Sequence, residues 1–148
     1  GESRGQVLSR FYARRFLRIF PVYYALIFAL WLLGFWPRLA EAADIGEMLK
    51  PLPWLLTYTF NLHFAWTGEA AGALTHVWSL AVEEQFYLVW PLLLLFAPRR
   101  WILPLILATI AGGPAFRLAF LDNDIARSFA TPACIDALAV GGLLAYLH

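Results

Sequence analysis

Three stretches of this chain contain no charged side chain and consist mainly of large apolar residues: 19–36, 85–98 and 101–116. Weaker apolar stretches cover 51–66 and 137–147. A helix of about 20 mostly apolar residues crosses the hydrocarbon core of a bilayer. Only 14% of the residues are charged, whereas soluble domains carry about 25%. The pattern predicts an all-α polytopic transmembrane helix bundle with about four or five membrane segments.

The two ends of the sequence indicate an internal fragment of a longer membrane protein. The chain begins with GESRGQ, without a methionine, and ends with GLLAYLH inside an apolar stretch. No cleavable signal peptide is visible. We therefore expect residues 1–148 to form an incomplete domain.

The distribution of arginines predicts the orientation of the first membrane segment. Basic residues flanking a span stay in the cytoplasm, so residues 19–36 should run outward from the arginines that precede them. Whether 51–66 also crosses the membrane stays open, because a crossing would place Arg99 and Arg100 outside. Its proline-rich start and its polar Asn61 and His63 favour a position at the outer interface, since polar groups in lipid need local partners. The arginines that precede residues 19–36 are Arg4, Arg10, Arg14, Arg15 and Arg18.

The sequence HVWSLAVEEQFYLVWP, residues 76–91, places two adjacent carboxylates in an apolar environment. At ~100° per residue, Glu84 lies at the margin of a polar stripe and Gln85 points nearly opposite to it. A charged carboxylate at mid-membrane costs ~2.5–3.5 kcal/mol, so the stripe should face protein or a watery cavity. The stripe consists of His76, Ser79, Glu83, Tyr87 and Trp90.

Two interpretations of this stripe remain. In the first it is a functional site, where a carboxylate holds a proton or accepts hydrogen bonds from a sugar hydroxyl. In the second a carboxylate pairs with an arginine, with Arg117 as a candidate, and orients the helices. Asp136 is a second acid at outer depth, and the nearby Gly141 and Gly142 indicate close helix packing. His63 and His76 have no neighbouring cysteine, so no metal site is expected.

The sequence RFYARRFLRIFP contains a second polar cluster. Arg14 and Arg18 are four residues apart and share a helix face, while Arg15 is rotated by ~100°. Guanidinium groups bind phosphate in two-point fashion, so this cluster could hold a phosphate-bearing ligand. Arginines at a cytoplasmic boundary also act as topology markers and contact lipid headgroups. The chain offers no soluble basic domain, and nucleic acid is not an expected partner.

The sequence FYARRFLRIFPVYY, followed by HVWSLAVEEQFYLVWPLLLL, resembles the acyltransferase 3 family of membrane enzymes, which O-acylate carbohydrates and other cell-surface molecules. The C-terminal TPACIDALAVGGLLAYL is similar to a family segment in which an arginine usually stands two positions before the aspartate. Cys134 occupies that arginine's place here, so only Asp136 is carried over from that segment. The resemblance covers most of the chain.

The resemblance implies a bundle of about ten helices that uses a cytoplasmic acyl-CoA donor and an acceptor on the outer side. It implies that Arg14, Arg15 and Arg18 face the donor's phosphates. It also assigns Glu83 and Glu84, supported by His76 and Tyr87, to substrate positioning or proton handling. The family's catalytic histidine lies on a helix before the arginine cluster, so we expect that base outside residues 1–148 and expect the fragment alone to be inactive.

The predicted function is transfer of an acyl group, most simply acetyl, to a hydroxyl of a polysaccharide or lipid-linked glycan in a bacterial inner membrane. No permanently bound cofactor is expected, since acyl-CoA acts as a substrate. The contrasting hypothesis is a transporter or flippase module for an anionic lipid-linked substrate, in which the polar stripe lines a pathway. A purely structural membrane subunit is a third possibility.

Overall fold

The computed structural model describes residues 3–147, and this part of the chain forms helices and turns without a strand. It divides into two compact units. The first runs to Leu52 and includes Ala71–Ala73, and the second contains Pro53–Ala70 and the chain from Leu74 onward. The predicted all-helical membrane architecture is confirmed. Four helical segments are long and apolar enough to cross a membrane: Arg4–Leu33, Gly72–Phe96, Arg99–Ala119 and Asp124–Leu147.

The first unit is built on a single long helix, α1 (Arg4–Leu33), which continues through Pro21. Its start is fixed by a capping box, in which the Gln6 backbone donates to the Ser3 hydroxyl and the Gln6 side chain accepts from the Ser3 backbone. Most apolar side chains of α1 are exposed, as a lipid-facing helix requires. The short helices α2 (Pro37–Ala42) and α3 (Ile45–Leu49) follow, and α3 packs against α1.

The segment 51–66 does not form one long helix. It contains α4 (Leu52–Leu56) and the start of α5 (Phe60–Thr67), with Tyr58 between them in the left-handed region at φ 52°. Each helix is far shorter than the ~20 residues that a membrane crossing needs. This geometry favours the topology in which the segment lies at the interface.

The second unit consists of helices around one apolar core. A 3-10 helix, Gly72–Val77, leads into α6 (Trp78–Phe96), which is followed by α7 (Arg99–Ala119). The short α8 (Asp124–Phe129) packs on α5, and α9 (Thr131–Leu147) packs along α7 and also contacts α6. The packing places the N-terminal ends of α6 and α9 beside the C-terminal end of α7. One buried apolar cluster joins α6, α7 and α9 and consists of Phe86, Trp90, Ile106 and Ala139.

Candidate active site

A groove of about 530 Å³ opens where the ends of α6, α7, α8 and α9 meet in the second unit. Trp78 and Val82 contribute apolar surface, but most of the groove's chemistry comes from seven polar side chains. Two of these are acids, two are arginines, two carry hydroxyls and one carries a thiol. They are Ser79, Glu83, Arg117, Arg127, Ser128, Cys134 and Asp136. Two other cavities, beside α6 and α7, are lined mainly by apolar side chains.

Glu83 projects into this groove without a protein partner. It is partly buried, and among residues 3–147 its carboxylate makes no ion pair and no side-chain hydrogen bond. An ionised carboxylate at membrane depth is costly unless water, a ligand or a cation compensates for it. The Glu83 carboxylate is therefore available to a molecule that enters the groove.

Arg117, which the sequence offered as a candidate partner for Glu83 or Glu84, pairs with Asp136 instead. Its Nη2 lies 2.6 Å from Asp136 Oδ2, and its Nη1 donates to Asp136 Oδ1 at 3.4 Å and to the Ala133 carbonyl. This contact joins the end of α7 to the start of α9. It also occupies much of the guanidinium, so Arg117 forms a wall of the groove and does not neutralise Glu83.

Gly113 allows the two helices to approach at this point. A Cβ atom built on Gly113 would lie 2.6 Å from the Asp136 Cγ, closer than real Cβ contacts come. The prediction of close helix packing near Asp136 was made from Gly141 and Gly142. Gly142 does face Trp90, with a built Cβ 3.3 Å from the indole nitrogen, but Gly141 has open space around it.

The rim of the groove is formed by α8 and the following turn. Arg127 Nη2 lies 2.7 Å from Asp124 Oδ1, and both side chains are substantially exposed. The Cys134 thiol donates to the Ser128 carbonyl at 3.2 Å. Ser79 donates to the His76 carbonyl at 3.2 Å. These contacts hold the polar rim in place and leave it accessible from one side.

The stripe predicted on the helix after residue 76 is only partly a polar face. His76 precedes α6 in the 3-10 helix, is exposed, and is not among the residues that line the groove. Tyr87 and Trp90 pack into the apolar core one and two turns further along α6. The described groove therefore brings together Ser79 and Glu83 from the predicted stripe and adds residues from other helices.

Gln85, predicted to point away from the stripe, lies in a network of hydrogen bonds that the sequence reasoning missed. Its amide nitrogen donates to the Tyr58 carbonyl at 2.7 Å and to Asn61 Oδ1 at 2.8 Å. Asn61, fully buried, donates to Thr131 Oγ1 at 2.8 Å and to the Phe129 carbonyl, and Thr131 donates to Gln85 Oε1. The sequence does show Asn61 and Gln85 as amide side chains inside apolar stretches. This was the signal that could have predicted a buried hydrogen-bond network.

The predicted donor-binding arginines lie on α1 in the first unit. Arg14 and Arg18 are exposed, and within residues 3–147 neither makes a side-chain hydrogen bond or an ion pair. Arg15 is partly buried, and its guanidinium carbon lies 5.9 Å from the centre of the Phe11 ring. Glu84 on α6 is partly buried as well. The assignment of these residues to a site stays a prediction.

Comparison with known proteins identifies the family. The family model for the acyltransferase domain of the acyltransferase 3 family matches residues 2–131, which is most of the chain. The chain belongs to the acyltransferase 3 family. It is therefore related to integral membrane O-acyltransferases, and the resemblance of its arginine and glutamate motifs to that family is confirmed. No solved structure matches the chain.

Several curated relatives of this acyltransferase 3 chain carry names that describe O-acetyl transfer. The O-acetyltransferase OatA of Staphylococcus aureus is 31% identical over 153 residues, covering 95% of this chain and 25% of that protein. The peptidoglycan O-acetyltransferase OatA of Listeria monocytogenes is 32% identical over 93 residues, covering 60% of the chain and 15% of the relative. An uncharacterized protein of Haemophilus influenzae is 28% identical over 162 residues, covering 95% of the chain and 64% of the relative. The chain thus spans less than two thirds of each of these proteins.

Proposed function

We propose that this chain is part of a membrane-bound enzyme that transfers an acyl group, most simply acetyl, from acyl-CoA to a hydroxyl of a cell-surface carbohydrate. Its membership of the acyltransferase 3 family and the names of its relatives support this reaction. The observation that carries the proposal is the Glu83 carboxylate, which faces a polar groove without a partner among residues 3–147. Residues 1–148 would form one part of the complete transmembrane domain.

The reaction needs a base, a bound donor and a positioned hydroxyl. The base takes the proton of the acceptor hydroxyl, the oxygen attacks the thioester carbonyl, and the carbon–sulfur bond breaks to release the CoA thiolate, which is then protonated. In our proposal the principal base is a histidine on a helix outside residues 1–148. Glu83 orients the acceptor hydroxyl by accepting its hydrogen bond. The family resemblance alone supports roles for Glu84, His76 and Tyr87, which do not line the groove.

The donor side of the proposal rests on the arginine cluster of α1. Arg14 and Arg18 are exposed on one helix face, and Arg15 lies beside them. Guanidinium groups suit the phosphates of acyl-CoA because each can donate two parallel hydrogen bonds. The arginines precede the first apolar run, so the basic-residue rule places them in the cytoplasm of a bacterial cell, where acyl-CoA is made.

The test measures acyl transfer by the full-length protein in membrane vesicles supplied with radiolabelled acetyl-CoA and glycan acceptors. Arg18→Ala and Glu83→Gln should each lower the initial rate at subsaturating substrate by about 100-fold, the scale of a lost catalytic contact. Arg38→Ala and Glu41→Gln change exposed residues of α2 and serve as matched controls with unchanged rates. Undiminished transfer by the first pair would contradict the site, and acceptor movement without label transfer would support a transporter instead.

A further inference from the structure

We infer that the groove between α6, α7, α8 and α9 is the acceptor subsite and that it selects a neutral, hydroxyl-rich sugar over an anionic ligand. This inference rests on the proposed acyl transfer and assigns further residues to the binding of its acceptor. Ser79 and Arg127 become specificity-determining residues, and the Arg117–Asp136 pair becomes the wall against which the sugar lies.

The charges of the groove do not suit an anion. Its two arginines already face carboxylates: Arg117 is held by Asp136, and Arg127 by Asp124. Glu83 is the lining acid with no partner within residues 3–147, so it adds negative potential where a phosphate or carboxylate ligand would sit. A neutral hydroxyl can donate a hydrogen bond to Glu83 without electrostatic repulsion.

The hydrogen-bonding groups that line the groove complement those of a sugar. A sugar presents hydroxyls that donate and accept, and it needs partners of both kinds. Glu83 supplies acceptor oxygens, the Arg127 N–H groups that do not bind Asp124 supply donors, and the Ser79 hydroxyl can do either. Trp78 adds apolar surface for the ring carbons. A volume of about 530 Å³ lies within the ~300–1,000 Å³ typical of small-ligand sites.

The groove lies at the correct end of the helices for a surface acceptor. Arg99 and Arg100 begin α7, whereas Arg117 is near its other end. Eighteen residues of α-helix span about 27 Å, close to the ~30 Å thickness of the hydrocarbon core. If the paired basic residues at the start of α7 are cytoplasmic, the groove opens on the outer side of the membrane.

The kinetic test varies rim residues that the proposed reaction does not require. In the full-length protein, the KM for a neutral oligosaccharide of N-acetylglucosamine should rise about 5-fold for Ser79→Ala and at least about 10-fold for Arg127→Gln, the effects of losing a neutral and a charged hydrogen-bonding group. The KM for acetyl-CoA should stay unchanged, as should both constants for the Glu41→Gln control. An unchanged acceptor KM in both rim variants overturns the inference while leaving acyl transfer intact, whereas absence of transfer in the unvaried protein overturns the proposed function itself.

A second test leaves every residue that lines the groove unchanged. Cys134 lines the groove and is the sole cysteine of residues 1–148, so cysteines elsewhere in the full-length protein would be replaced by serine. A membrane-impermeant maleimide should label Cys134 in right-side-out vesicles, and the neutral oligosaccharide should slow labelling several-fold. Inorganic phosphate and acetyl-CoA should give no protection. Labelling only in inverted vesicles, or protection by phosphate and not by the sugar, overturns the inference.

Discussion

Replacing Gly113 with alanine should separate α7 from α9 and weaken the Arg117–Asp136 pair. The added Cβ would stand 2.6 Å from Asp136 Cγ and 2.9 Å from Oδ2, so the aspartate must move. Overpacking costs ~1–3 kcal/mol, and disturbing a charged hydrogen bond costs up to ~1.5 kcal/mol at a site this open to solvent. Alanine recovers ~1 kcal/mol of helix propensity relative to glycine. We expect a net loss of about 2 kcal/mol in the free energy of unfolding.

The neighbouring Gly112 provides the matched control, because a Cβ at that position meets nothing within 4 Å. Gly112→Ala should stabilise the protein by up to ~1 kcal/mol through propensity alone, so the two alanine variants should differ by about 3 kcal/mol. Thermal or denaturant unfolding of the full-length protein in detergent measures this difference. Equal unfolding midpoints for the two variants would refute the close contact between Gly113 and Asp136.

Two further pairs of substitutions test contacts in the second unit by the same unfolding assay. Asn61→Leu should cost about 2–3 kcal/mol, because one Gln85 N–H, the Thr131 hydroxyl and the Phe129 carbonyl each lose a hydrogen-bond partner. Thr131→Ser keeps the hydroxyl and should be nearly neutral; equal losses would argue against the network. Gly142→Ala should be about 1 kcal/mol less stable than Gly141→Ala, since only the former crowds Trp90, and the reverse order would contradict this packing.

The sequence predicted best those features that depend on local periodicity and composition. The uncharged runs identified membrane helices, and helical spacing correctly put Ser79 and Glu83 on one face. His76 lies in a 3-10 helix before Trp78, where the ~100° per residue of an α-helix does not apply, and it does not line the groove. No local pattern could have paired Arg117 with Asp136, since their contact depends on how α7 and α9 pack.

The two polar clusters of the second unit can be separated by counting their hydrogen bonds. Asn61 and Gln85 together use all four amide N–H donors, and each amide oxygen accepts a hydrogen bond. A buried network that is fully satisfied stabilises one packing arrangement and has no capacity left for a ligand. Glu83 differs from these amides, because its carboxylate oxygens accept no hydrogen bond from residues 3–147 and the residue lines a groove. The same helix α6 thus carries a structural amide on one face and a groove-facing carboxylate on another, which is why our proposal assigns Glu83 and not Gln85 to the site.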